Sequence, residues 1–445
     1  MKPRVKILPI LLPVLLVVGL LCGAAVSIYR ERATEASHTD LGQKYLNSTD
    51  YGSAAAEFAT RLSEDPTDVA ARRGLAQSYY NMGDLQLASQ VLQPLTEHKD
   101  KDPEAYRLLI KMETQGQDMN QALMTAKKLV SCTDAQEDHI LMNDLLQQVL
   151  QQPHSYAAGT DQQLLIAANG QVLSAGSNQL GQLGTQAQLT SAQQQAQFAP
   201  ADFSGTAARV YCAGRTSFVV DQANNLWAAG ENRWGQMGLG AADLTVQPGW
   251  RKVLDSGDVA SVAGMAGKLF VLKLDGTLWF AGQGGSMELQ RINDFYQVSA
   301  LESDGTYLAV LTLDGQLFYS DNGESWVRKA RDVKQFSLCS NMLVWVTTGG
   351  RVGGDKLQCP SSWSSNASGA RPDFDVKRIA CDGNGALLES ADGTLWRLNR
   401  GVATECKDVT ATSFYGENGR IVLETEEGVQ TWVLSETAPT VLRAN

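Results

Sequence analysis

The chain has 445 residues and a formal net charge of −11. Its length is enough for two or three domains, and its acidic balance argues against a nucleic-acid partner, because phosphate binding needs a basic surface. The last of its four histidines is His154, so residues 155–445 exclude both a Ser-His-Asp triad and a histidine-based zinc site. The seven cysteines form no C-x-x-C pair, and we expect neither a metal nor a cofactor.

The N-terminal stretch predicts a membrane anchor. Residues 7–28 carry no charged side chain, and a helix of this length crosses about 30 Å of hydrocarbon. Lys2, Arg4 and Lys6 precede the span. The positive-inside bias therefore places residues 1–6 in the cytoplasm and the rest of a single-pass protein on the outer side of a plasma membrane, in a bacterial setting.

Two alternatives for this stretch stay open. One is a cleaved signal peptide, cut in the small-residue segment from Cys22 to Ala25. The apolar run is longer than the roughly 7–15 residues of a signal core, which favours the uncleaved anchor. The other is lipid attachment at Cys22, against which the bulky Leu21 argues. Residues 29–34 then form a linker.

Residues 35–152 have apolar spacing typical of helices and repeat at 34 residues. The repeat is carried by one leucine and one alanine per unit: Leu41, Leu75 and Leu109, then Ala54, Ala88 and Ala122. This pattern resembles the tetratricopeptide repeat family. The first unit matches it at Leu41, Gly42, Tyr45, Ala54, Phe58 and Pro66. The segment is thus predicted to be an α-solenoid of about three helical hairpins, closed by a helix at 135–152.

In the tetratricopeptide family the first helix of each unit lines a concave groove, and the resemblance implies one here. The 34-residue register places six polar residues on it: Arg73, Gln77, Tyr80, Asn81, Arg107 and Lys111. Three neighbouring cations suit an acidic segment or a peptide C-terminus. The alternative is that these residues form ordinary solvated helix faces.

Residues 154–434 predict a seven-bladed β-propeller, followed by a tail at 435–445. Seven short turns, mostly Asp-Gly or Asn-Gly, each join two apolar runs, and this is the strongest short-range signal for a β-hairpin. The turns open the segments at 169–176, 224–230, 275–282, 314–320, 349–354, 392–398 and 427–434. A further strand precedes most of them, so each unit is a small sheet packed around a central channel.

The sequence motif A-G-x-N-x-x-G-Q-x-G occurs twice, at 175–184 and 229–238. It resembles the signature of the regulator of chromosome condensation family. The matching residues are Gly176, Asn178, Gly181, Gln182 and Gly184, then Gly230, Asn232, Gly235, Gln236 and Gly238. We expect glycines at positive φ, with Asn and Gln bonding to the loop backbone. The family's chromatin and exchange functions are not carried over, because this chain is predicted to be exported.

Other residues of the propeller are assigned structural roles. Cys212, Cys339 and Cys381 share one strand position in three blades, which predicts small buried hydrophobes. Cys359 and Cys406 lie in loops, where pairing outside the cell is an alternative. The segment SDNGESW at 320–326 resembles an Asp-box, which holds a blade turn in sialidase-type propellers and performs no chemistry.

Ligand contacts on the propeller are expected in the long inserts at 186–200, 247–250 and 359–368, the first of which we predict to be a mobile loop. The candidate contact residues are Arg233, Trp234, Trp250 and Trp363. The alternative is that each tryptophan fills space between blades.

The sequence therefore predicts a multidomain α plus all-β protein with a transmembrane helix, an α-solenoid and a seven-bladed propeller. The function we expect is that of a non-catalytic protein-interaction scaffold. One alternative is carbohydrate or cell-wall binding, with a glycan as partner of the propeller. The other is an enzyme, either a hydrolase or a nucleotide-exchange factor, which the absence of histidines and of a phosphate loop disfavours.

Overall fold

The computed structural model describes residues 38–97, 101–186, 194–240, 247–265, 267–356, 374–399 and 402–442. The predicted membrane span at 7–28 lies outside these residues. Among the helices that are described, none has the length and apolar character needed to cross a membrane.

The described N-terminal part is helical. Its helices are α1 (38–47), α2 (Tyr51–Glu64), α3 (Val69–Asn81), α4 (Leu85–Glu97), α5 (Pro103–Gln115), α6 (Met119–Val130) and α7 (Gln136–Leu150). In the first unit α2, α3 and α4 each pack against the next helix in the chain, whereas α6 packs against α7. The third predicted hairpin, which would pair α5 with α6, is therefore not borne out as drawn.

Small residues at the 34-residue spacing explain how these helices pack. Ala54 on α2 and Ala88 on α4 are fully buried, because a side chain this short lets two antiparallel helices approach closely. Ala122 on α6 is fully buried as well. Phe58 fills the space that two glycines leave, since a Cβ at Gly42 or Gly74 would lie 2.8 or 2.4 Å from its ring. The helical repeat in the sequence is therefore a repeat of packing contacts.

The chain divides into two compact units. The first ends at Gln115 and also includes Ser131–Thr133, and the second comprises Gly116–Val130 and the chain from Asp134 onward. Helices α6 and α7 thus belong to the same unit as the sheets. The domain limits drawn from the sequence at 152 and 154 remain predictions.

Seven antiparallel sheets follow, each made of strands that are consecutive in sequence. The first three sheets contain β1 (Tyr156–Ala158), β2 (Gln162–Ile166), β3 (Val172–Gly176) and β4 (Gln195–Pro200); β5 (Ala207–Ala213), β6 (Thr216–Asp221), β7 (Leu226–Gly230) and β8 (Gln247–Leu254); and β9 (Val259–Met265), β10 (Lys268–Lys273), β11 (Leu278–Gly282) and β12 (Gln290–Ile292). The fourth contains β13 (Val298–Ser303), β14 (Leu308–Thr312), β15 (Leu317–Ser320) and β16 (Val327–Ala330).

The last three sheets complete a seven-bladed propeller. They contain β17 (Val333–Cys339), β18 (Met342–Thr347) and β19 (Val352–Lys356); β20 (Val376–Cys381), β21 (Ala386–Ser390), β22 (Leu395–Asn399) and β23 (Val402–Glu405); and β24 (Ser413–Glu417), β25 (Arg420–Thr425), β26 (Gly428–Trp432) and β27 (Thr440–Val441). Every predicted Asp-Gly-type turn lies between the second and third strand of a sheet. The apolar residues of neighbouring sheets form the core between the blades.

The prediction that two of the inserts are loops is wrong in part, because each of them contains residues of a β-strand. Residues 195–200, assigned to a mobile loop, form β4 and pair with β3 through Leu173–Pro200 and Ser174–Ala199. Residues 247–250 begin β8. The side chains of β4 are half-buried or exposed, so this outer strand is held by backbone pairing and has no apolar pattern to reveal it.

The repeated loop has the geometry that its sequence predicts. Gly176 has φ +108°, and a Cβ there would lie 2.2 Å from the Asp161 carbonyl oxygen. In each copy the Asn and Gln side-chain oxygens accept bonds from backbone N–H groups of the same loop. These bonds are Asn178 to Leu183 (2.8 Å), Gln182 to Leu180 (2.8 Å), Asn232 to Met237 (2.9 Å) and Gln236 to Trp234 (2.7 Å). The repeated motif thus forms a loop that its own hydrogen bonds hold in shape.

The cysteines and the Asp-box-like segment are both predicted to have structural roles in the propeller. Cys339 and Cys381 are 1% and 0% exposed, as predicted for small core residues, whereas Cys212 is half-buried. In the Asp-box-like segment, Asn322 Oδ1 accepts bonds from the N–H groups of Glu324 and Ser325 (both 2.8 Å) and holds the turn before β16. Cys359, proposed as a partner of Cys406, lies outside the described residues.

Candidate functional site

The first strands of the seven sheets (β1, β5, β9, β13, β17, β20 and β24) surround a cavity of about 780 Å³, which we call the axial cavity. Residues before and at the start of α6 and at the end of α7 line one end of it. The turns that follow the first strands, such as those at Gly159 and Asn418, line the other. A cavity of this size is within the usual range for small-ligand sites.

Helices α6 and α7 are fixed to the propeller by two polar contacts. Asp118 Oδ2 lies 2.5 Å from Lys334 Nζ on β17, and the lysine side chain is only 6% exposed. Gln147 Nε2 donates to the carbonyl oxygen of Leu274 at 2.7 Å. These contacts place the two helices at one end of the axial cavity.

An aromatic column lines the wall of the cavity. The His154 ring stacks between Tyr211 and Tyr415, with centroid distances of 4.5 and 4.2 Å. Burial lowers the pKa of His154 to about 4, so the ring is neutral at neutral pH. Its Nδ1 lies 2.7 Å from the Val210 carbonyl oxygen, to which the neutral ring donates. The other nitrogen, Nε2, is then an acceptor that lies 3.8 Å from Glu417 Oε2.

Glu417 joins the last sheet to the first. Its Oε1 accepts a hydrogen bond from the Ala158 N–H at 2.9 Å. Beside it, the Tyr156 N–H donates to the Tyr415 hydroxyl at 2.9 Å, and that hydroxyl donates to the Tyr156 carbonyl oxygen at 3.0 Å. Burial raises the pKa of Glu417 to about 7, against the opposing effect of the Ala158 bond. The carboxyl group is thus close to half-protonated at neutral pH.

Glu302 is a second carboxyl group of the cavity, and it is half-buried. Its Oε2 accepts from the Leu338 N–H at 2.7 Å. Burial raises its pKa to about 8, and the Glu417 carboxylate adds to the rise. Two carboxyl groups from different blades therefore face one cavity and disfavour each other's ionisation.

Of the six predicted groove residues of the helical unit, four contact one another in two pairs, and the two arginines contact acidic residues outside the set. We call this set the helical groove. Gln77 Nε2 donates to Asn81 Oδ1 at 3.1 Å, and Lys111 Nζ lies 5.0 Å from the centre of the Tyr80 ring. The two arginines contact acids: Arg73 Nε lies 3.3 Å from Asp102 Oδ2, and Arg107 pairs with Glu104 on its own helix. Binding at this surface remains a prediction.

The predicted contact residues of the propeller loops have different surroundings. Trp234 is 45% exposed, and Arg233 lies 3.4 Å from Glu231 with its side chain 62% exposed. Trp250 is only half-exposed, donates from Nε1 to the Ala201 carbonyl oxygen at 2.6 Å, and packs over Gly184. Trp250 packs beside the core between the first two sheets, and a contact of Trp250 with a ligand stays a prediction. Trp363 lies outside the described residues.

Sequence reasoning did not single out the residues of the axial cavity. His154, Glu302 and Glu417 received no role, although one signal was available. An acidic residue lies at or next to the end of the first strand in both VSALES (298–303) and SFYGE (413–417). Such a strand is buried against two neighbouring blades, so its acid faces either the core or the channel.

The helices match the tetratricopeptide repeat family over residues 45–111. The helical part of the chain is tetratricopeptide-like. No curated protein sequence matches the chain.

Solved structures match the propeller. Prp20p from Saccharomyces cerevisiae, reported with its binding properties to Gsp1p and histones, is 14% identical, with 67% of this chain and 89% of Prp20p covered and a TM-score of 0.51. Human WBSCR16 is 16% identical over 62% of this chain and 71% of its own, with a TM-score of 0.38. BamB from Moraxella catarrhalis is 11% identical, with 62% and 83% covered and a TM-score of 0.35.

The likeness to Prp20p, which is the yeast regulator of chromosome condensation, shows the propeller fold. Helical repeats of this kind followed by a propeller fit a protein-interaction scaffold, since both modules present large preformed surfaces.

Proposed function

We propose that the chain is a non-catalytic adaptor that binds an acidic segment or a peptide C-terminus in the helical groove. The propeller holds a second protein partner, and residues 7–28 tether both to the outer side of a plasma membrane. The observation that supports the groove proposal is the contact between α3 and α5, where Lys111 of α5 lies over the Tyr80 ring of α3.

The ion pairs that Arg73 and Arg107 form in the structure are contacts that a ligand carboxylate can replace. The Arg107 and Glu104 side chains are 35% and 53% exposed, and solvent-accessible ion pairs contribute only about 0–1 kcal/mol. Arg73 is 37% exposed, whereas its partner Asp102 is only 14% exposed. Glu104 therefore orients the Arg107 guanidinium group through a contact that a ligand can replace at a small cost in free energy, and Asp102 orients Arg73. A ligand carboxylate that accepts two bonds from one guanidinium gains a stronger, charge-assisted contact.

The remaining groove residues supply a second kind of contact. Gln77 and Asn81 lie one turn apart on α3 and offer amide donors to a peptide backbone. Tyr80 is half-buried under Lys111, which leaves an aromatic edge for an apolar side chain. The groove thus suits a peptide with a carboxylate beside an apolar residue.

The binding test uses a fluorescein-labelled acidic octapeptide with a free C-terminus and its amidated counterpart. Fluorescence anisotropy is measured with the full chain and with the variant Arg73→Glu, Arg107→Glu, Lys111→Glu. We expect the triple reversal to abolish binding, and amidation to weaken it if the terminal carboxylate is recognised.

A matched control reverses three cations of the propeller, Lys252→Glu, Arg328→Glu and Lys407→Glu, which changes net charge by the same amount. Equal loss of affinity in both triple variants means that only net charge matters, and the groove proposal then fails. In-cell crosslinking from native membranes with the same variants identifies the natural partner.

The tether has its own test. Its support is the uncharged run at 7–28 with three cations before it. We expect the full chain to resist alkaline extraction from membranes and a variant lacking residues 1–34 to be soluble. Digestion of the propeller by protease added to intact spheroplasts reports the outer side, and protection from it refutes that placement.

A further inference from the structure

The axial cavity contains two carboxyl groups that lack a cation. Glu302 and Glu417 each accept one backbone N–H bond. Among the described residues, no lysine or arginine nitrogen lies within 4.0 Å of either carboxyl group. The basic side chain that lies near Glu417 is His154, whose ring is neutral. Burying a carboxylate without a partner is costly, so these groups either hold a proton or meet a cation from outside.

The cations that line the cavity are bound to other groups. Lys268 Nζ donates to the Asn322 carbonyl oxygen at 2.7 Å and pairs with Glu324 at 2.6 Å. Arg378 pairs with Glu389 and donates to the Thr412 carbonyl oxygen at 2.9 Å. Neither side chain pairs with Glu302 or Glu417, so the two cavity carboxyls can ionise against a cation that a ligand brings.

The wall of the cavity supports a cation in a second way. Tyr211, His154 and Tyr415 form a continuous stack, and both tyrosines line the cavity. The face of a tyrosine ring attracts an organic cation once water is excluded. The volume of about 780 Å³ exceeds what an inorganic ion needs and admits a group with an alkyl chain.

We propose that the axial cavity binds the ammonium or guanidinium group of an organic ligand between Glu302 and Glu417. The ligand is either a free amine or a basic side chain of a protein partner. This site is independent of the helical groove, and the failure of either proposal leaves the other intact.

Binding of a cation ionises both carboxyl groups and so releases protons. Arg420 is the residue opposite Glu417 in the pairing of β24 with β25. The other titratable groups that face Glu417 or Glu302 are His154, Tyr156, Tyr211, Cys212, Cys339, Cys381 and Tyr415. The pKa of His154 is lowered to about 4, and burial raises the pKa of every other group in this set above its ordinary value. Near pH 7 the released protons therefore come from Glu302 and Glu417 alone, and on the order of one proton leaves per ligand.

The experiment is isothermal titration calorimetry of the full chain with 1,4-diaminobutane in physiological salt, near pH 7, in two buffers of different ionisation enthalpy. A blocked pentapeptide with one central lysine is titrated in parallel and separates a partner side chain from a free amine. We expect saturable binding of at least one probe, with release of about one proton.

The variants Glu302→Gln and Glu417→Gln keep the side-chain size and an oxygen for the backbone N–H. Each is expected to weaken binding by roughly tenfold or more, and the double variant to abolish it. Glu424→Gln is the matched control, because Glu424 accepts a similar bond from the Ser155 N–H at 3.1 Å and does not line the cavity.

Three results overturn the proposal: no binding of either probe at about 10 mM, binding without proton release, or equal weakening by Glu424→Gln. Thermal unfolding of each variant is recorded first. If one glutamine variant does not fold, the other, which lies in a different blade, decides the outcome.

Discussion

Glu417→Gln tests the electrostatics of the axial cavity directly. Glutamine retains the oxygen that accepts from the Ala158 N–H but cannot ionise. Burial raises the pKa of Glu417 from its usual 4.5 to about 7. At about 1.4 kcal/mol per pKa unit, this shift corresponds to about 3 kcal/mol between the two protonation states.

The direction in which pH changes the free energy of unfolding follows from which state, folded or unfolded, binds the Glu417 proton more tightly. The folded chain holds the Glu417 proton up to about pH 7, whereas the unfolded chain releases it near pH 4.5. The stabilising contribution is therefore complete below about pH 4.5 and is lost as the pH rises through 7. Between pH 5 and 9 the wild type loses about 2.5 kcal/mol through this group, and the glutamine variant loses none of it.

Tryptophan fluorescence is a clean assay, because all nine tryptophans lie between residues 227 and 432 and so report the propeller alone. Urea unfolding is followed for both proteins across this pH range. The quantity of interest is the variant's free energy of unfolding minus that of the wild type. We expect this difference to become more favourable to the variant by about 2.5 kcal/mol from pH 5 to pH 9.

A control separates burial from loss of charge. Glu426→Gln removes one charge from an exposed turn residue of the same sheet, and its difference from the wild type should change with pH by less than about 0.5 kcal/mol. If the Glu417→Gln difference is equally flat, Glu417 ionises freely in the folded protein. The reasoning about the cavity would then be refuted.

Three further substitutions test the fold. Leu92→Ala opens a cavity at a fully buried position of the helical unit and should cost about 2–5 kcal/mol, measured by far-UV circular dichroism in urea. Gly176→Ala forces a Cβ to within 2.2 Å of the Asp161 carbonyl oxygen at φ +108°, so tryptophan fluorescence should show a loss above about 2 kcal/mol. Asn232→Ala leaves the Met237 N–H without its acceptor and should cost about 1–3 kcal/mol in the same assay. A loss below about 0.5 kcal/mol in any of the three contradicts the contact concerned.

The features that the sequence predicts are those with local causes. The helical repeat depends on contacts between neighbouring helices, and the hairpins depend on two-residue turns. The signature loop closes through Asn178 and Leu183, only five residues apart. Strand β4 escapes prediction because an exposed outer strand has no apolar pattern. The Glu417–Ala158 bond joins residues 259 apart, and nothing in either segment alone indicates their meeting.

Ring closure explains why the cavity residues matter for the whole propeller. Every sheet uses consecutive strands, so no strand is shared between the first and last sheets. Their junction depends on apolar packing around Tyr156 and Val422 and on side chains of β24 that bond to the backbone of β1. Glu417 therefore has two roles, as a link across the junction and as a face of the cavity. A ligand that ionises it strengthens the acceptor for the Ala158 N–H, and binding and closure of the ring are then coupled through one carboxyl group.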